Sequence, residues 1–266
     1  MHGFKTLGRL LALLSLFTAP LAAADALDDI LDRGAIRVGV AEFVPWTMRT
    51  KAGDLVGFEV DVAKKIAADM GVEAKLKLYE WDAIIPALET GEIDVIAGGM
   101  AITPERALKV NFSRPLAKSG VGLATNTIKT QNMKTLDDLN NKGVTITTVA
   151  KTMAASVAET LFDRANVEVF TTKEPAEEAV LEGRAHAYLA GGPEVRFLVL
   201  KNPVKLDLPI NEPLVASSEA LAVKKGEQEL LNFLNAWVTA RQTDSWLATS
   251  RDYWFGTLDW APTLDD

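Results

Sequence analysis

Arg106 is the side chain whose neighbours suggest a binding device, in the stretch Gly98-Gly99-Met100-Ala101-Ile102-Thr103-Pro104-Glu105-Arg106. The apolar run 93–97 before it reads as a buried strand. Two glycines then open the backbone, Thr103 suits a helix cap, and Pro104 suits the first helical position. Arg106 thus falls in a first turn that already carries positive partial charge from unpaired N–H groups. A cation there does not help the helix. It makes sense if free amides, the helix end and a guanidinium fork converge on one carboxylate. The alternative is an arginine paired with a surface Asp or Glu.

Three aromatic residues occupy comparable positions. Phe43 and Trp46 follow the apolar run 35–41, and Trp81 follows the alternating run 74–79. Side chains at strand ends can stack on a ligand; packing in a core is the other reading. Further on, Thr152 is placed to cap a helix, with Lys151 before it and Met153 after it. Gly191-Gly192-Pro193-Glu194 follows the run 185–190. His186 alternates with apolar residues and has no acidic or histidine partner at metal-ligand spacing, so no metal is expected. The chain offers no nucleophile–histidine pair and no phosphate loop, which favours a binder over an enzyme and calls for no cofactor.

The elements that must position these residues alternate strand and helix. Residues 35–99 read β-α-β-α-β, which implies a parallel sheet covered by helices. A second β/α series runs from 144 to 190 and repeats the grammar of the first. Ala87-Leu88-Glu89-Thr90-Gly91 leads into a strand and Gly98-Gly99; Val180-Leu181-Glu182-Gly183 leads into a strand and Gly191-Gly192. The expectation is an α/β protein of two Rossmann-like lobes, 25–120 with 210–266 and 121–209. The chain would cross between them twice, near 118–123 and 206–212, which makes a two-strand hinge. Ligands of such sheets sit beyond the carboxyl ends of strands, so both Gly-Gly ends can face one cleft.

The first 24 residues read as an export signal: Lys5 and Arg9, an apolar core, then Leu21-Ala22-Ala23-Ala24. The apolar core is too short to span a bilayer. Loss of those two cations on cleavage takes the formal charge from −8 to −10. An acidic chain without a basic run argues against nucleic acid and anionic membrane as partners. The chain has no cysteine, hence no lipid attachment point, disulfide or thiolate metal site. The expected place is a bacterial periplasm.

Several segments together resemble the periplasmic solute-binding proteins of polar-amino-acid ABC importers. They are Arg37-Val38-Gly39-Val40, Pro45-Trp46, Gly57-Phe58-Glu59-Val60-Asp61, Trp81-Asp82-Ala83-Ile84-Ile85-Pro86, Gly91-Glu92-Ile93-Asp94, Ile102-Thr103-Pro104-Glu105-Arg106 and Tyr253-Trp254-Phe255-Gly256. Their order and spacing carry the likeness over essentially the whole mature chain. The resemblance implies a type II-like periplasmic binding fold, a monomer that closes on one small carboxylate or zwitterion and delivers it to a membrane permease. It implies that Arg106 grips the ligand carboxylate, that Phe43 and Trp81 sandwich the ligand, and that Thr152 contacts the carboxylate from the second lobe. Gly99 and Ala101 stand where many members have serines, and Lys151 where glycine is usual. Members that bind α-amino acids carry an aspartate for the ammonium where this chain has Gly191. Either Glu42 or Glu194 supplies that charge, or the ligand lacks a primary amine and rests on Phe43, Trp46 and Trp81. Lys151 beside Arg106 would suit a second acidic group. Exported cyclohexadienyl dehydratases resemble the same family and place an acid near Glu194, followed by an arginine, here Arg196; this is the enzymatic alternative.

Overall fold

The computed structural model describes residues 25–257 and 259–264; the expected export signal lies outside them. The chain opens with α1 (Ala26–Arg33), β1 (Ala35–Val40), β2 (Met48–Arg49), β3 (Leu55–Val56), α2 (Phe58–Met70) and β4 (Glu73–Leu78). There follow α3 (Ile84–Glu89), β5 (Val95–Ile96), α4 (Pro104–Ala107) and β6 (Val110–Phe112). β1 is apolar and buried along almost its whole length, as a central strand must be. It pairs in parallel with β4 on one side and β5 on the other.

A ten-residue strand, β7 (Ala117–Asn126), then leaves this lobe. The second lobe contains α5 (Leu136–Leu139), β8 (Thr145–Val149), α6 (Met153–Leu161), β9 (Asn166–Phe170), α7 (Lys173–Leu181), β10 (Ala187–Gly191), α8 (Gly192–Lys201) and β11 (Leu206–Asp207). Its sheet runs β11-β7-β10-β8-β9. The chain returns along β12 (Val215–Glu219), and β13 (Ala222–Lys224) enters the first sheet, whose order is β4-β1-β5-β13-β6. α9 (Gln228–Thr243), α10 (Trp246–Arg251), a π-helical turn at Asp252–Gly256 and a 3-10 turn at Ala261–Leu264 pack on the first lobe.

The two lobes are therefore joined by an antiparallel pair, Val121↔Val215 through Ala117↔Glu219. The return crossing lies at 215–219, later than the 206–212 read from the sequence, because β11 still pairs with β7 inside the second sheet. Apolar alternation gave no hint of β12: its middle is Ala216-Ser217-Ser218; β7 pairs along one edge, and on the other Glu219 bridges Ala101. Each lobe carries its own apolar core. Trp237, Trp254 and Trp260 are buried in or against the first; two of them anchor their ring N–H on Asp69 and Asp61 of α2, at 2.8 and 2.7 Å.

Candidate functional site

A cleft lies between the lobes, walled by the carboxyl ends of strands from both sheets. From the first lobe it is lined by Phe43, Trp46, Trp81, Gly98, Gly99, Ala101 and Arg106. From the second it is lined by Thr152, Met153, Gly191 and Glu194. Eleven of the thirteen residues singled out by sequence thus meet at one place; Glu42 and Lys151 are not among its walls. Glu42 lies outside, 3.5 Å from the Nε of Arg49. The Lys151 ammonium turns to Asp82 at 3.4 Å.

Local chemistry explains how Arg106 is presented. The Thr103 hydroxyl accepts the Arg106 N–H at 3.3 Å, with Pro104 at the first helical position. This side-chain cap leaves the single turn of α4 short and rigidly started. The guanidinium then donates from Nη1 to the Ala101 carbonyl at 2.9 Å and from Nη2 to the Lys151 carbonyl at 3.0 Å. It lies 5.3 Å from the Trp81 ring centre. Among the described residues no carboxylate forms an ion pair with it. Burial lowers its pKa from the ordinary arginine range, with Glu105 opposing the shift. A half-buried guanidinium bonded to neutral carbonyls retains donors for an anion.

Lys151 has a main-chain role. Its φ of 60° is left-handed, which a side chain resists and glycine tolerates. The turn aims its carbonyl across the gap, where it accepts both Arg106 and the Trp81 ring N–H, the latter at 3.1 Å. The next residue, Thr152, caps α6: its hydroxyl accepts the Ala155 N–H at 3.1 Å and donates to the Val149 carbonyl at 2.7 Å. Phe43 meets Trp81 edge to face, 5.4 Å between centres.

Sequence reasoning did not single out Glu219, Glu59 or Tyr188. Glu219, at the end of β12, accepts the Trp46 ring N–H at 2.9 Å and is almost fully buried. Burial pushes its carboxyl up to about 7, against hydrogen bonds from Ser119 and Trp46. Glu59, in the first turn of α2, accepts the Gly99 N–H at 3.0 Å and is pushed up to about 8 by burial, with Glu219 adding to the rise. Tyr188 on β10 donates to Glu194 at 2.6 Å. Glu194 is likewise pushed up to about 8, chiefly by burial and then by Glu177. Each acid has a bland reading in sequence: a carboxylate in a first helical turn complements the dipole, and Glu219 sits in a polar stretch. His186 accepts the Thr145 N–H at 3.1 Å, a structural role.

Residues 36–257 match the sequence profile of the bacterial extracellular solute-binding proteins, family 3. The chain belongs to this family. The L-cystine-binding protein TcyJ of Escherichia coli K12 is 30% identical over 236 residues, 86% of either chain. A cyclohexadienyl dehydratase of Pseudomonas aeruginosa is 22% identical over 94% of either chain. Among solved structures, a putative ABC-transporter binding component from Wolinella succinogenes complexed with lysine superposes with a TM-score of 0.81 at 32% identity, over 86% of this chain and 99% of that one. The ancestral amino acid-binding protein AncCDT-1, a precursor of cyclohexadienyl dehydratase, superposes with a TM-score of 0.80 at 31% identity, over 87% of this chain and all of that one. This family 3 protein thus shares its bilobal architecture with amino-acid-binding relatives, and its cleft lies between the two lobes.

Proposed function

We propose that this family 3 protein is the periplasmic substrate-binding component of an ABC importer and that it captures a small carboxylate-bearing solute by closing its lobes. The observation that carries this reading is Arg106: a guanidinium in the interlobe cleft, bonded to a carbonyl of each lobe and, among the described residues, to no carboxylate. The ligand's acid group meets that fork beside Ala101; Phe43 and Trp81, which touch edge to face and so do not sandwich it, form one wall beside its body; Thr152 and Met153 approach from the other side. A ligand held by both lobes binds the closed arrangement better than the open one, and only that differential drives closure. The closed monomer is the form that the permease meets. Export by the N-terminal 24 residues belongs to the same reading. It is supported by the binding proteins for cystine and arginine among the relatives.

The test is a thermal-shift screen against amino acids, betaines, ectoines, dicarboxylates and aromatic acids. A carboxylate that binds the native state raises the melting point by mass action. Stabilisation only by solutes lacking a carboxylate would reject the reading.

One observation favours a second, enzymatic reading. Glu194 is a buried acid in the cleft wall whose carboxyl burial pushes up to about 8, the direction that general-acid work needs. Turnover of prephenate or arogenate, lost in Glu194→Gln, would establish it; no turnover leaves the binder.

A further inference from the structure

Trp46 is the side chain that reaches across the base of the cleft. A methyl group added at Gly99, in the first lobe, would lie 2.6 Å from its Nε1. One added at Gly191, where β10 ends in the second lobe, would lie 2.9 Å from its Cη2 and 3.3 Å from its Cζ3. The ring N–H is held by Glu219 on the return strand of the hinge, and Phe255 packs edge-on at 5.3 Å. The indole is therefore fixed from behind and fills the room that a side chain at 99 or 191 would need.

We infer that Trp46, paired with Gly191, is a specificity-determining residue that selects carboxylates lacking an α-ammonium. The inference rests on the reading of Arg106 as the carboxylate clasp. A ligand whose acid end sits on Arg106 shares the cleft with the indole and the end of β10. No acid can project from position 191 in this arrangement, because the ring is already there. The acids nearby, Glu194 and Glu219, already accept Tyr188 and Trp46. Burial favours their protonated forms. An ammonium would have to ionise one of them against that cost or remain without an anion, and both are expensive in a walled cleft. An uncharged α-carbon against the indole meets neither penalty.

The experiment uses matched acids that differ only in the ammonium: 4-methylpentanoate with L-leucine, and 3-phenylpropionate with L-phenylalanine. Thermal shift and calorimetry are run on the mature protein and on the double variant Trp46→Leu/Gly191→Asp. The mature protein is expected to favour the plain acid of each pair. The double variant, with room and an anion supplied together, is expected to gain at least tenfold in affinity for an amino acid. A mature protein that prefers the amino acid in either pair overturns the inference, as does a cooperatively melting double variant with no gain. If neither pair binds the mature protein, the double variant decides. If the double variant does not fold, Gly191→Ala decides: its methyl group must displace the indole and weaken the best-bound plain acid at least tenfold, and unchanged binding overturns the inference. Arg106→Ala separates the two levels. Binding that survives its loss removes the underlying clasp, whereas binding that is lost with it, in a protein preferring amino acids, removes this inference alone.

Discussion

The aromatic residues around Arg106 carry a measurable share of the proposed affinity. Phe43 and Trp81 touch edge to face, and Trp81 also lies beside the guanidinium. Phe43→Ala or Trp81→Ala should each weaken ligand binding by about 1–3 kcal/mol in calorimetry. Unchanged affinity would assign both rings to packing alone. The buried acids set the pH response. Glu59 and Glu194 are raised to about 8 and Glu219 to about 7. In the unfolded chain these groups titrate near the ordinary carboxylate value, so between about pH 4.5 and 8 the folded state holds more protons. Their contribution to stability is complete below about 4.5 and is lost as pH rises through 7 to 8. Chemical denaturation should show stability falling over that window, and Glu59→Gln should flatten part of the slope. A slope unchanged in Glu59→Gln would show that its carboxyl is already ionised. At this scale the sequence revealed residues with a local signature: the Thr103-Pro104 cap around Arg106 needs only neighbours to be seen. Glu219 could not be read that way, since its partner Trp46 is 173 positions distant.

At the scale of elements, two short pieces do work out of proportion to their length. α4 has four residues, and its start depends on one hydroxyl. Thr103→Ala should cost about 1 kcal/mol of stability and loosen the aim of Arg106, so ligand affinity should fall although position 103 is not a wall of the cleft; affinity equal to the parent's would show that the fork is aimed by its carbonyl partners. At the other end, Trp260 lies beyond the 36–257 match to the family and is fully buried. It stacks on Phe197 of α8 at 5.2 Å, joining the C-terminal turn to the second lobe. Trp260→Ala should lower the unfolding free energy by about 3–5 kcal/mol, read from urea midpoints. A midpoint within error of the parent's would contradict the burial. The β/α alternation of both lobes was legible because buried parallel strands are apolar runs, as in β1. β12 was not, because its middle, Ala216-Ser217-Ser218, presents no apolar run. The left-handed turn at Lys151 was not legible either, since nothing in a lysine announces a positive φ.

For the whole molecule, the arrangement is two lobes on one antiparallel pair, with the cleft at the strand ends. Several contacts bridge the gap, and two of them meet at one carbonyl, that of Lys151, which accepts both Arg106 and Trp81. On the proposed function, a ligand carboxylate on Arg106 would add a charge-assisted bond at the same place, and capture and closure would share a residue. Relatives that bind different solutes keep this architecture, as the lysine-complexed structure shows; the walls, and not the fold, set the ligand. The measurement that bears most directly on the clasp is a calorimetric titration of the best-stabilising carboxylate into the parent and into Arg106→Ala. Loss of a buried, hydrogen-bonded charge partner should weaken binding by about 2–5 kcal/mol, more than loss of any other single charge. Equal dissociation constants for the two proteins would contradict the account.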